Sequence, residues 1–273
     1  MSNYVNDLSI YGLMNKNCFL NYDEDILSFY KVKNKSKIVV IGERLNEEDE
    51  KKYTHISYMY LNEKPDIKGS RSMSMVLSHI TPDFFTGMKG KKFIDIRHTV
   101  NQCSQKITAV PLQECRCYDV LYMIEDWRHR KDGGMKYGMR EHAGIDKNII
   151  KQICNNENKY LIDNTISYAF FEGHVCLGYA CMSKIPYDVD GINEFHYLTR
   201  KVSNTHNIRN LTEYVDWFMF SKLYETCKSE FIINWGCSDG GVLWYKMHKW
   251  PLYRVEPKWF VSYYPNGKPN NKK

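Results

Sequence analysis

Two runs of β-forming residues, 160–171 and 174–183, stand on either side of Glu172-Gly173. A glycine in a two-residue link between alternating segments is a strong hairpin signal, because it takes the positive φ such turns require. A third alternating run, 194–202, follows, and then the period changes. Residues 210–228 place Leu211, Val215, Phe218 and Met219 on one helical stripe. Asn210-Leu211-Thr212-Glu213 resembles a capping box at the start of that helix, with Asn where Ser or Thr is usual. Residues 231–235 read as a compact strand, Gly240-Gly241 precedes a short helix to residue 249, and 259–264 closes with a strand. A hairpin-rich half followed by two αβ units excludes a simple doubly wound repeat. It predicts an α+β chain with a mixed, twisted sheet flanked by helices.

Upstream, residues 92–97 read as a strand, 118–130 as a helix ended by Gly133-Gly134, and 145–153 as a second helix. The first ninety residues carry two strand signals, 38–42 and 54–61. The charge run at 47–52 between them reads as a solvated turn. The expected organisation is a strand-rich extension over residues 1–90 and a main domain over 91–273 with a short basic tail.

Composition narrows the function classes. Six Trp, twenty-one Tyr and twelve Phe in 273 residues supply a core. Mean hydropathy of −0.55 leaves no apolar run long enough to span a bilayer, so no membrane role is expected. The start of the chain shows no secretory signal, and nine scattered Cys suit reduced thiols in a cytoplasm. Cys115 and Cys117 form a C-x-C without a second ligand pair, so no metal is expected. The net charge of +6 permits a polyanionic partner, although the tail lysines Lys268, Lys272 and Lys273 supply half of that excess. Richness in Asn, Lys and Tyr points to an AT-rich genome, and with it to the cytoplasm of a phage-infected bacterium.

The element order from residue 91 is similar to the acetyltransferase fold of the GNAT superfamily. Residues 233–250, Ile-Asn-Trp-Gly-Cys-Ser-Asp-Gly-Gly-Val-Leu-Trp-Tyr-Lys-Met-His-Lys-Trp, resemble a segment of the Mom-like phage DNA-modification acyltransferases. Arg209-Asn210 before the long helix resembles that family's Arg-Asn pair. The resemblance covers roughly residues 190–264. It implies an acyl-CoA donor, acetyl-CoA or another, lying where strands 194–202 and 231–235 splay apart. It further implies an N-acyltransferase whose acceptor is DNA or a base-derived amine. In that frame Arg200, Lys201 and Val202 offer backbone groups to the donor's amides, with Asn234 on the facing strand. Thr205, Asn207, Arg209 and Asn210 hold its phosphates, Arg209 as a bidentate fork. The family's spaced glycines are missing from 203–209, where glycine would permit close backbone approach to phosphate.

The resemblance makes Tyr245 the acid that protonates the leaving thiolate. As one of twenty-one tyrosines it has packing as its simpler account. Ser238 and Asp239 precede that helix, where either accepts a proton from the attacking amine or caps the helix. His196 and His248 are further bases, though a lone His is more often structural. Trp127, Arg128, Arg130, Lys136 and Tyr137 form the strongest basic-aromatic cluster, suited to phosphate contact and base stacking at an acceptor site. The bland reading is a solvated helix end with cations favoured by the macrodipole. Two other functions stay open: an acyltransferase for a small molecule, peptide or tRNA-linked amine, and a non-catalytic nucleic-acid or host-protein binding module on the same fold.

Overall fold

The computed structural model describes residues 18–23, 26–31, 37–41, 44–131, 138–238 and 240–267. Contacts divide the chain into two compact units: residues 1–76, 237–246 and 254–273, and residues 77–236 with 247–253. In this division residues 237–246 group with the N-terminal unit rather than with residues 77–236. The fold is α+β, with mixed sheet flanked by helices.

The first unit contains β1 (Cys18–Asp23), β2 (Ile26–Lys31), β3 (Lys37–Ile41), α1 (Glu47–Glu50), β4 (His55–Leu61) and the start of β5 (Arg71–Ile80). β1, β2 and β3 pair antiparallel in succession, while β3 and β4 run parallel. The C-terminal part of β12 (Leu252–Tyr263) lies antiparallel to β4. Val40, Ile56, Tyr58, Leu61 and Val261 make its core. The charge run expected as a solvated turn is instead a short helix. Asn46 caps α1 by accepting from the Asp49 N–H at 2.9 Å. Glu50 turns inward, where the Tyr58 hydroxyl donates to it at 2.7 Å and Arg44 at 3.0 Å. A carboxylate can leave water only against such donors.

The second unit starts with α2 (Ile94–Ser104), β6 (Thr108–Pro111), α3 (Cys117–Lys131), α4 (Gly138–Cys154) and α5 (Lys159–Asn164). It continues through β7 (Thr165–Glu172), β8 (Val175–Ser183), β9 (Tyr187–Val189), β10 (Ile192–Val202) and α6 (Leu211–Cys227) into β11 (Phe231–Ser238). The strand expected at 92–97 is a correction: a 3₁₀ turn at Lys91–Phe93 leads into α2. Phe93, Val100 and Cys103 are buried at helical spacing, a period that an apolar stretch of six residues is too short to reveal. Residues 160–164, expected as the start of a strand, belong to α5, which Asn158 caps through the Leu161 N–H at 3.1 Å. The β7–β8 hairpin itself forms as expected, with Gly173 at φ +59°. Gly133-Gly134 lies outside the described residues.

β6, β7, β8 and β10 pair antiparallel in that order, β9 adds antiparallel to β10, and β11 runs parallel to β10. α6 crosses β7 and β8 and packs against α2, with Phe218 edge-on to Tyr168 at 5.0 Å. Leu211, Val215 and Met219 are buried on its stripe as expected. The capping box does not form. Asn210 sits at φ +59° and its side-chain amide donates to Thr99 Oγ1 at 3.1 Å instead.

Candidate active site

β10 and β11 share only four register pairs, from Asn193↔Phe231 to His196↔Asn234. Beyond His196, β10 stays with β8 through an irregularity between Tyr197 and Thr199, and keeps that company to Val202. β11 passes through Gly236 at φ +66°, a left-handed conformation glycine adopts without Cβ strain. The two parallel strands therefore part at their carboxyl ends. Past His196, residues 197–202 have no register partner on β11.

A polar cluster stands where the strands part. Glu194 and His196 share one face through the two-residue strand period, and His196 lies opposite Asn234 in register. Glu194 and Asn234 are each 6% exposed. The Asn234 amide nitrogen donates to Glu194 Oε1 at 2.8 Å and contacts His196 Nε2 at 3.1 Å. Asn234 Oδ1 accepts from the Gly236 N–H at 2.8 Å, so both ends of the amide are fixed. His196 Nε2 lies 3.4 Å from Glu194 Oε1. A proton arriving at Nε2 therefore meets a buried carboxylate. On the other face Tyr197 and Trp235 stack at 5.1 Å, with Phe220 edge-on to both. Sequence reasoning named His196 and Asn234 but not Glu194; its signal was the Glu-x-His spacing on a strand.

The loop from β10 to α6 answers the missing glycines. Asn207 and Asn210 adopt φ of +53° and +59°, the left-handed region asparagine tolerates best after glycine. Asn204 clasps the loop, its Nδ2 donating to the Ile208 carbonyl at 2.6 Å while Oδ1 accepts from the Ile208 N–H at 2.9 Å. Beside it lies a cavity of about 360 Å³, lined among others by Gln102, Lys106, Glu172, His206, Asn207 and Arg209. His206 Nδ1 bonds Glu172, which offsets the one carboxylate in that lining. Neither Arg209 nor Lys106 has an ion-pair partner among the described residues. The Thr205 hydroxyl, in the same loop, is buried with no hydrogen-bond partner among them. Exposed cations, an orphaned buried hydroxyl and amide side chains are the donor set a phosphate-bearing ligand needs.

The side chains of Arg200 and Lys201 are engaged within the unit. Arg200 pairs with buried Asp216 of α6. Lys201 reaches Asp146 of α4 at 3.2 Å and lies over the Trp127 ring of α3 at 5.2 Å. The expectation for Arg200, Lys201 and Val202, backbone groups offered to a donor, does not call on these side chains. The basic-aromatic cluster is laced as well: Arg128 pairs with Glu125 at 3.0 Å and Arg130 with Asp126 at 2.8 Å. An acceptor held by these residues has to displace those partners and compete with Lys201 for Trp127. Lys136, Tyr137 and Asp239 lie outside the described residues. Buried Ser238 ends β11, and half-buried Tyr245 lies in α7 (Gly240–His248) of the first unit.

No protein-family model matches the sequence, and no curated protein matches it significantly. Solved structures do match its fold. The structure of L-PGS from Bacillus licheniformis aligns with a TM-score of 0.58 at 14% identity, over 95% of this chain and 87% of that one. The C-terminal domain of a putative lysylphosphatidylglycerol synthetase from Agrobacterium fabrum gives 0.54 at 10% identity, over 96% and 91%. A tandem GNAT protein from the clavulanic acid biosynthesis pathway gives 0.53 at 8% identity, over 96% and 87%. The chain thus has a GNAT-type fold. No helix among the described residues is long and apolar enough to cross a membrane.

Proposed function

We propose that the chain is an N-acyltransferase that moves an acyl or aminoacyl group from a CoA-like thioester to an amine. The observation that carries this reading is the parting of β10 from β11 around the Glu194–His196–Asn234 cluster, beside a loop furnished for phosphates. Thr205, Asn207 and Arg209 hold the donor's phosphates, and backbone groups of Arg200, Lys201 and Val202 take its amides. A bound thioester supplies an activated acyl carbon and a thiolate leaving group. His196 Nε2 accepts the proton that the amine gives up, and Glu194 steadies the resulting charge. Backbone N–H groups past His196 polarise the acyl oxygen. Tyr245 donates the proton the departing sulfur needs; an ordinary phenol is protonated at neutral pH. Ser238 and Asp239 are the next candidates for these proton transfers.

The finer assignment, an amine on a DNA base in a phage-infected cell, rests on the likeness of residues 233–250 to the Mom-like enzymes. None of the named neighbours carries DNA modification in its name: one is a putative lysylphosphatidylglycerol synthetase and one belongs to the clavulanic acid biosynthesis pathway. One assay separates the readings. Purified protein is given acetyl-CoA with duplex DNA, nucleosides, polyamines or amino acids in separate arms, and thiol release and product mass are followed. Amine-dependent thiol release supports the acyltransferase, and the arm that yields an acylated product names the acceptor. Modified nucleosides in cells expressing the wild type, absent with Tyr245→Phe, support the DNA reading. Absence of thiol release above background in every arm leaves the binding-module reading in place.

A further inference from the structure

α3 and α4 form a helical hairpin whose open end, where α3 begins and α4 finishes, carries one thiol from each helix. Cys117 is the first residue of α3 and Cys154 the last of α4, and their side chains are in hydrogen-bonding contact. An independent contact fixes the same register: Lys147 of α4 bonds Glu125 of α3. From there Cys117 lies eight residues back along α3 and Cys154 seven forward along α4, displacements of about 12 and 10.5 Å. The antiparallel packing therefore returns the two sulfurs to one another as a consequence of the helix register. Both residues are only partly buried, so a small oxidant reaches them. Two further thiols stand nearby, Cys115 just before α3 and buried Cys176 on β8.

We propose that Cys117 and Cys154 are a reversible disulfide site, closed by a low-molecular-weight disulfide of the glutathione type. Cys117 attacks as thiolate one sulfur of the oxidant, giving a mixed disulfide and releasing one small thiol. Cys154, as thiolate, then attacks Cys117 Sγ; the protein S–S bond forms and the second small thiol leaves. Both protein thiol hydrogens end on the two released thiols, and the oxidant takes the two electrons. The order of attack follows from the surroundings. Burial, and then the neighbouring thiols Cys117 and Cys115, push Cys154 up to about 12, which makes it the resolving partner. Burial likewise pushes Cys176 up to about 12 and, with the charge of Glu114, Cys115 up to about 11, leaving both as slow nucleophiles. Closure pins the open end of the hairpin, whose Trp127 and Asp146, about 15 and 12 Å farther along the helices, hold Lys201 on β10. That last consequence rests on the proposed function; the disulfide itself does not.

The test uses the full chain, fully reduced and then titrated with oxidised glutathione. Wild type should lose two hydrogens in mass, and its non-reduced digest should contain a peptide joining Cys117 to Cys154. The melting temperature should rise by roughly 5–15 °C, since the bond closes a long loop, and fall back on adding reductant. Cys154→Ser should instead trap a stable glutathionyl adduct on Cys117, while Cys115→Ser should close as wild type does. A crosslink through Cys115 or Cys176, or a wild-type protein that ends as the mixed disulfide, overturns the proposal. None of these readouts depends on acyl transfer, so failure here leaves the acyltransferase reading untouched.

Discussion

Each unit contains a parallel strand pair with a buried glutamate beside it, and the two pairs are built for different ends. β3 and β4 stay in register over all five residues of β3. Glu50, beside β4, is closed in by a phenol and a guanidinium, donors that keep their protons at neutral pH. β10 and β11 hold together for four pairs and then part, although both strands continue. Glu194 stands at the parting with an amide and an imidazole, a ring whose nitrogens serve as donor or acceptor. In the proposed reading the same residue type locks one sheet and equips the other. Burial alone does not mark a catalytic carboxylate; the partners and the freedom of the neighbouring strand do.

The largest expected effects fall on turnover. Tyr245→Phe should lower it by about 10²–10⁴-fold with donor affinity nearly intact, as loss of a general acid does. Wild-type turnover in that variant removes Tyr245 from the chemistry and leaves Ser238 next in line. The comparison itself is sharpened by exchanging the two glutamates for glutamine in turn. Glu194→Gln should cost on the order of 10²-fold or more in turnover, read from steady-state rates beside a thermal melt. Glu50→Gln should leave turnover unchanged and reduce stability by about 1–3 kcal/mol in urea unfolding. The reverse pattern breaks the distinction between lock and site.

A smaller effect is the pH dependence of the first unit. Burial would raise the Glu50 carboxyl, but the neighbouring phenols of Tyr263 and Tyr58, together with Arg44, hold it below its ordinary value of 4.5. Its contribution is therefore complete above pH 4.5 and lost as pH falls through the lower folded value. Burial, and then Glu50, raise Tyr58 well above 10 and Tyr263 to about 12. Their contribution is complete below pH 10 and declines as pH rises toward 12. Melting curves should show a plateau between these limits, and Glu50→Gln should flatten its acid edge. An acid edge that survives this substitution assigns it to other carboxylates.

The hairpin at Gly173, the long helix stripe and the strand order around them were legible because each is a local pattern with its own period. Residues 92–97 and 160–164 were not, because a short apolar run does not distinguish strand from helix. The loop residues Asn207 and Arg209 could be singled out from their place before the long helix. The capping box failed because Asn210 takes a left-handed φ and turns its amide to Thr99, a partner 111 positions away. Glu194 stayed hidden for the same reason: its meaning depends on Asn234, 40 positions along the chain, arriving through parallel pairing.

The central claim is that a thioester donor is seated at the parted ends of β10 and β11 with its phosphates at Arg209. Calorimetric titration of acetyl-CoA into wild type and Arg209→Ala tests it most directly. The account predicts saturable binding to wild type and an affinity roughly 10- to 150-fold weaker in the variant, as loss of a charge-assisted contact entails. No heat with wild type, or equal affinity in both proteins, would contradict it.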